Sequence, residues 1–278
     1  MRERKVQRLL RGRAASDGDG VRLSRVFGPG QGLDPFLLLD EFGSDEAADY
    51  IGGFPAHPHR GFETVTYMLE GEMLHEDHLG NRGRLTSGSV QWMTAGRGII
   101  HSEMPQQEEG RMRGFQLWLN LPAREKMKPA GYRDIPPQEI PEVELPGARI
   151  KLIAGTLAHE GHTYAGAVTG ITTQPLYLDV HLAAGAQLAV PVSAGHTAMV
   201  YVYEGEVQVA GERVGSGHLA ALEDGEQVTL ASTAPARALV LAAKPLREPV
   251  AHYGPFVMNT SQEVEQAMRD YRDGRLTG

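Results

Sequence analysis

The chain of 278 residues contains no cysteine. Disulfide bonds, thiolate nucleophiles and thiolate metal ligands are therefore excluded together. Any bound metal ion must be held by nitrogen and oxygen atoms. The sequence also lacks a run of the roughly 18 apolar residues that a membrane-spanning helix needs, and its N-terminus has no apolar core of a secretory signal. We therefore expect a cytoplasmic protein with no membrane association.

Basic residues are in the minority, with 27 Lys and Arg against 35 Asp and Glu, and the formal net charge is −8. Such a charge repels polyanions, so direct binding of nucleic acid is not expected. The basic residues of "MRERKVQRLLRGR" at the N-terminus are interpreted as a charged opening strand or a loose terminus.

Glycine and proline are abundant, at 34 and 17 residues, whereas charged residues make up only 22% of the chain. This turn-rich composition favours many short strands and an all-β fold. One helix is expected at the C-terminal end, where Thr260 and Glu263 fit a capping box and Gly274 supplies a stop. Its apolar residues recur with helical spacing, at Val264, Ala267, Met268 and Tyr271.

The distribution of turns and prolines predicts two domains. Residues 1–130 form the predicted N-terminal domain, residues 131–147 a proline-rich linker, and residues 148–278 a C-terminal domain that ends in the helix. The segments "TVTYMLEGEMLHEDHLGNRGRLTSGSVQWM" and "AMVYVYEGEVQVAGERVGSGHLAAL" share one outline of strands and Gly-containing turns. This outline indicates an internal duplication of one β unit. Only the first copy is preceded by a His-x-His pair.

Two pairs of residues have the spacing of metal ligands on strands. In "HPHRGFETVTYMLEG", His57 and His59 point to the same side if the backbone is extended, and Pro58 favours that conformation. In "GIIHSEMP", His101 and Glu103 share a strand face in the same way. Neighbouring strands would bring three imidazoles and one carboxylate together.

This donor set suits one first-row divalent ion. Iron(II) is favoured, and zinc, copper, manganese and nickel are compatible with the same donors. A single His-x-His pair is more often two half-exposed histidines than a metal site. The two pairs together favour the metal site.

The quoted segments resemble the two cupin motifs in the form that pirins use. Further pirin-like segments are "LDPFLLLDEF", "FQLWLNLP" and "PLREPVAHYGPFVMNT", so the resemblance spans most of the chain. It implies a bicupin, with two jelly-roll β-barrels and metal in the N-terminal one. In the pirin pattern the metal ligands match His57, His59, His101 and Glu103. Glu63 stands where many other cupins have their ligand carboxylate, and we assign it to the surroundings of the metal or to a structural hydrogen bond.

The resemblance implies two candidate functions. One is a metal-dependent dioxygenase of the quercetin 2,3-dioxygenase type, which opens a flavonol ring with O₂. In that case Glu103 is the expected general base and Glu63 the alternative base, and the substrate is a small aromatic molecule. The other is a non-enzymatic, iron-binding regulator that responds to redox state and docks on a protein partner.

The remaining histidines are interpreted as structural residues. The segment "HEDH", which contains His75 and His78, is predicted to be a solvated strand end.

Overall fold

A computed structural model describes all 278 residues, and it separates into two compact units. The first unit comprises residues 13–137 and 246–278, and the second comprises residues 1–12 and 138–245. Both units consist almost entirely of antiparallel strands, and one α-helix lies near the C-terminus, so the predicted all-β class is confirmed. None of the helices has the length and apolar character required to cross a membrane.

The elements follow one another with short turns. Single-turn 3₁₀ helices occupy Ala47–Asp49, Ala123–Glu125 and Pro137–Glu139. The strands and the helix are, in chain order, β1 (Val6–Arg11), β2 (Arg13–Asp17), β3 (Val21–Phe27), β4 (Phe36–Ser44), β5 (Phe54–His59), β6 (Phe62–Glu70), β7 (Met73–Asp77), β8 (Arg82–Leu85), β9 (Val90–Thr94), β10 (Ile99–Pro105), β11 (Met112–Asn120), β12 (Gly131–Ile135), β13 (Glu142–Leu145), β14 (Ala148–Ala154), β15 (Thr156–His159), β16 (His162–Ala165), β17 (Leu176–Leu182), β18 (Gln187–Pro191), β19 (Thr197–Glu204), β20 (Glu206–Val209), β21 (Glu212–Gly215), β22 (His218–Leu222), β23 (Gln227–Ala231), β24 (Ala236–Ala243), β25 (Ala251–Tyr253), β26 (Phe256–Met258) and α1 (Ser261–Arg272).

Each unit contains one seven-stranded and one four-stranded sheet. In the first unit the strand orders are β12-β9-β6-β11-β4-β3-β2 and β5-β10-β7-β8, and in the second they are β1-β22-β19-β24-β17-β14-β13 and β18-β23-β20-β21. The four-stranded sheets have the same connectivity, because β5, β7, β8 and β10 take the places that β18, β20, β21 and β23 take in the second unit. This correspondence supports the internal duplication predicted from the sequence.

The two interiors differ in continuity. The second unit has one large aliphatic core, to which both of its sheets contribute residues such as Leu188, Val200 and Leu230. In the first unit the buried apolar residues fall into several smaller clusters. Buried polar side chains, among them His59, His101 and Glu103, take up interior space there. A polar site therefore occupies part of the interior of the first unit, where the second unit has apolar side chains.

The segment predicted as a linker, residues 131–147, contains two strands. Strand β12 pairs with β9 in the first unit, and β13 pairs with β14 in the second. The prolines do not prevent this pairing because Pro136, Pro137, Pro141 and Pro146 all fall outside the two strands. A proline lacks the amide hydrogen that a sheet requires, so these residues mark strand ends.

The compact units also differ from the predicted domain boundaries at both termini. Strand β1 pairs with β22, so the N-terminal residues 1–12 belong to the second unit. Residues 246–278, which include α1, belong to the first unit. The helix has the predicted capping box of Thr260 and Glu263. Its apolar stripe is buried only in part: Val264 and Ala267 pack against Phe256, Met258 and Leu276, whereas Met268 and Tyr271 are exposed.

Candidate metal centre

Three histidines meet inside the first unit. His57 and His59 lie on β5, and His101 lies on β10 directly opposite His57 in the antiparallel register. The ring centroids of His57 and His101 are 4.4 Å apart, and those of His59 and His101 are 5.0 Å apart. Ring nitrogens from all three residues lie within 4.8 Å of one another. The extended backbone around Pro58 directs both β5 histidines to one side of the strand, as their spacing predicts.

The hydrogen bonds of these rings leave nitrogens free for a cation. Nδ1 of His57 lies 2.8 Å from the carbonyl oxygen of Pro55, so it carries the hydrogen, and Nε2 keeps its lone pair. Nε2 of His101 and Nδ1 of His59 are buried and have no hydrogen-bond partner. Buried polar atoms are normally satisfied, and an ion is one reason for an exception. These donors fit one divalent metal ion.

Burial keeps the imidazoles of His59 and His101 neutral. It lowers the pKa values of His59 and His101 well below their usual range, because the charged form of a buried ring loses its hydration. Neighbouring rings add to the effect, with His57 lowering the pKa of His59 and His59 lowering that of His101. Neutral imidazole is the form that binds a metal ion, so His59 and His101 are held in the required state.

Glu103 points to the same interior as His101. It is 2% exposed, and its Oε1 accepts a hydrogen bond of 3.0 Å from the hydroxyl of Thr66. The amide of Gln116 lies 3.5 Å from the other carboxylate oxygen. The close group of ligand atoms contains the three histidines and does not include this carboxylate. The role of Glu103 as a fourth ligand therefore stays a prediction.

His57 and His59 open onto a cavity of about 690 Å³ within the first unit. His57, His59 and Glu103 are part of its wall. The rest of the wall combines apolar and aromatic side chains with polar ones, among them Arg25 and Asp40, which form a bidentate pair. Besides three prolines, the apolar and aromatic residues of this wall are Leu23, Leu38, Phe42, Phe54 and Trp118. A cavity whose wall combines apolar and aromatic side chains with polar and charged ones suits a small organic ligand that carries polar substituents.

Glu63 has a different environment from Glu103. It is 1% exposed and does not line the cavity. Its carboxylate accepts hydrogen bonds from Thr94 Oγ1 at 2.7 Å and from Trp92 Nε1 at 3.2 Å. Lys128 Nζ lies 3.4 Å away. These contacts agree with the structural hydrogen bond expected from the sequence and leave Trp92 in the interior.

The interpretation of "HEDH" as a solvated strand end is wrong for His75. This residue is fully buried, and its Nε2 lies 3.0 Å from Nδ1 of His101. Only His78 is exposed. The i, i+3 spacing of the two histidines concealed the relevant pattern, which is the alternation along β7. Met73 and His75 share the buried face of that strand. Because side chains alternate between the two faces of a strand, a buried Met73 would have predicted a buried His75.

The backbone after His59 is held by the C-terminal segment. The amide of Arg60 donates to the carbonyl of Pro255, and the amide of Val257 donates to the carbonyl of Arg60. Gly61 has φ +94°, and a Cβ atom there would lie 2.0 Å from the carbonyl oxygen of Val257. Nζ of the buried Lys126 donates to the carbonyls of both Gly61 and Val257. Close approach of the two backbones explains the glycine.

The corresponding strands of the second unit carry aliphatic residues. On β18 and β23, the inward positions are Leu188, Val190, Val228 and Leu230, all of which belong to the aliphatic core. Aliphatic side chains offer no ligand atoms. The difference between the two four-stranded sheets therefore explains why the donor atoms gather in the first unit.

Comparison with known proteins agrees with this arrangement. Family models described as "Pirin" and "Pirin C-terminal cupin domain" match residues 20–119 and 177–277. Human pirin is 41% identical over 98% of this chain and 93% of its own length. The chain belongs to the pirin family. The predicted bicupin fold is thereby confirmed.

Two further pirin-family relatives have names that refer to an activity. A protein of Pseudomonas aeruginosa named "Putative quercetin 2,3-dioxygenase" is 55% identical over 99% of both chains. The crystal structure titled quercetin 2,3-dioxygenase from Acinetobacter baumannii superimposes with a TM-score of 0.90 at 35% identity, covering 99% of this chain and 98% of that one.

Proposed function

We propose that this protein is an iron(II)-dependent dioxygenase that opens the heterocyclic ring of a flavonol such as quercetin with O₂ and releases carbon monoxide. The observation that carries the proposal is the placement of His57, His59 and Glu103 on the wall of one organic-ligand cavity. The names of the relatives from Pseudomonas aeruginosa and Acinetobacter baumannii support the choice of reaction.

In this proposal His57, His59 and His101 would hold the metal ion, with Glu103 as the proposed fourth ligand. Iron(II) supplies a Lewis acid for the flavonol hydroxyl and a redox-active centre for O₂. The three imidazoles would add no charge and Glu103 one negative charge, so the site would keep a net positive charge that favours the anionic form of the flavonol hydroxyl.

The cavity wall would orient the substrate. Phe42 and Phe54 are in edge-to-face contact, with ring centroids 6.4 Å apart, and Trp118 stands 5.5 Å from the ring of His59. These aromatic faces suit the flat rings of a flavonol. The Arg25–Asp40 pair offers donors and acceptors for peripheral hydroxyl groups.

Glu103 is the proposed general base. It would take the proton of the flavonol hydroxyl on a carboxylate oxygen, while Thr66 and Gln116 hold that carboxylate in position. Burial of Glu103 excludes bulk water from the proton transfer. The overall reaction converts one flavonol and one O₂ into one ring-opened ester and one carbon monoxide, so no external reductant is consumed.

The test is anaerobic loading with iron(II) followed by quercetin and O₂. We expect loss of the flavonol absorbance with release of one carbon monoxide per flavonol consumed. His57→Ala should abolish this turnover, and His78→Ala, which changes an exposed histidine of the same unit, should leave it intact. Equal rates for wild type and His57→Ala would reject the proposal. The alternative role as a partner-docking regulator stays a prediction.

A further inference from the structure

His75 makes the hydrogen bond on the side of His101 that faces away from the metal cluster. Its ring centroid lies 5.0 Å from that of His101, and Nε2 of His75 lies 3.0 Å from Nδ1 of His101. His75 is fully buried, and its ring also packs edge-to-face on Tyr132 at 4.9 Å. Strand pairing places it opposite Glu103. The contact is therefore built into the four-stranded sheet.

The free nitrogen of His101 determines which atoms carry hydrogens. Nε2 is the nitrogen of His101 that is buried without a partner. A nitrogen that binds a cation must keep its lone pair, so the hydrogen of a neutral His101 belongs on Nδ1. Nδ1 then donates to Nε2 of His75, which must be unprotonated. The hydrogen of a neutral His75 consequently lies on its own Nδ1, which is buried and has no partner among the protein atoms.

We propose that His75 is a positioning residue that fixes the tautomer and the ring orientation of His101, so that Nε2 of His101 is presented to the metal ion. The inference rests on the metal site of the proposed function and not on the identity of the substrate. Ligand histidines usually donate their second N–H to a carboxylate, a carbonyl or water. A neutral imidazole in that place orients the ring without adding a negative charge beside the ion.

Replacement of His75 by phenylalanine keeps a ring in the cavity and removes the acceptor. The probe is cobalt(II), whose visible absorption reports ligand geometry. His75→Phe should bind cobalt(II) about 10- to 100-fold more weakly, the range for loss of such a partner, with an altered visible spectrum. His75→Gln, which restores an acceptor oxygen, should recover most of the affinity and the wild-type spectrum. His78→Ala should match wild type.

An effect on folding alone is separated by a second measurement. Thermal unfolding of the metal-free variants reports their stability. If His75 had only a structural role, His75→Phe would be less stable than wild type, and His75→Gln would not restore the wild-type spectrum. If His75→Phe does not fold, ¹⁵N NMR of zinc(II)-loaded wild type decides the question. We expect His101 to be protonated on Nδ1, and His75 on Nδ1 with Nε2 unprotonated. A hydrogen on Nε2 of His75, or wild-type affinity and spectrum in a folded His75→Phe, would overturn the inference.

Failure of this inference is distinct from failure of the proposed function. Metal-loaded wild type that leaves quercetin unchanged would reject the dioxygenase, while the cobalt(II) and NMR readouts would still report on His75. Conversely, full turnover with an unaltered cobalt(II) spectrum in His75→Phe would reject the positioning role and keep the dioxygenase.

Discussion

Nη1 of Arg60 lies 2.7 Å from Oδ2 of Asp270, so the residue that follows His59 is bound to the C-terminal helix. Arg60 is nearly fully buried, and it also donates to the carbonyls of Arg97 and Leu276. A stretch more than 200 residues away along the chain thus supports the strand that carries two of the metal ligands.

Asp270→Ala should lower the free energy of unfolding by about 3 kcal/mol, because it leaves a buried guanidinium without its charged partner. We also expect weaker metal binding, since Arg60 is adjacent to His59. The measurement is chemical denaturation together with metal titration. Asp273→Ala, which removes a carboxylate with exposed arginine partners at the end of the same helix, is the control and should show no measurable change.

The contribution of Asp270 depends on pH in a definite direction. The hydrogen bond from Arg60 lowers the pKa of this carboxyl group in the folded state. A lowered carboxyl pKa gives stability that is fully present above the unfolded value of about 4 and is lost as pH falls through the folded value. The stability difference between wild type and Asp270→Ala should therefore shrink under acidic conditions, and a difference that grows with acidity would contradict this account.

Lys126→Met should destabilise the first unit by about 2–4 kcal/mol. The buried ammonium donates hydrogen bonds of 2.7–2.9 Å to Gly61 O, Asn120 Oδ1 and Val257 O, and the substitution leaves these acceptors unsatisfied. Equilibrium unfolding at pH 7 measures the effect. The control is Lys244→Met, which changes an exposed lysine and should leave stability unchanged.

Burial lowers the pKa of Lys126 to about 8. Between about pH 8 and the unfolded value of about 10.4, the folded state binds fewer protons than the unfolded state, so stability contributed by this residue rises with pH. The advantage of wild type over Lys126→Met should increase across that interval. A constant or falling advantage would show that Lys126 is not titrating there.

Much of the fold and the core of the site follow from local patterns in the sequence. Strand parity selects His57, His59, His101 and Glu103 because side-chain direction alternates with each residue, and the structure brings ring nitrogens of the three histidines together. The Thr260–Glu263 capping box is equally local, and it is present. Contacts between residues far apart in the chain could not be predicted from these local patterns. The pairing of Val6 with Leu222 and the bond from Arg60 to Asp270 depend on the complete fold.

Glu103→Gln and Glu63→Gln separate the two candidate bases. Glu103→Gln keeps the shape of the side chain in the cavity wall and should lower kcat by about 10²- to 10⁴-fold, the usual contribution of a general base. Glu63→Gln should keep turnover and lower stability, because its carboxylate binds Thr94 and Trp92 outside the cavity. Steady-state kinetics at matched iron content decides between them, and a larger kcat loss in Glu63→Gln would reverse the assignment.

Phe54→Ala tests the aromatic wall of the cavity. Loss of this ring should raise KM for quercetin roughly tenfold, equivalent to about 1.4 kcal/mol, with metal affinity unchanged because Phe54 has no ligand atom. Tyr253→Ala, which truncates an exposed aromatic residue of the first unit, serves as the control. An unchanged KM in Phe54→Ala would place the substrate elsewhere.

The most direct test of the metal centre is an anomalous difference map, recorded at the iron absorption edge from crystals grown anaerobically with iron(II). The account predicts one strong peak in the first unit, within bonding distance of a ring nitrogen from each of His57, His59 and His101. No peak between these rings, or a peak bound by other residues, would contradict it.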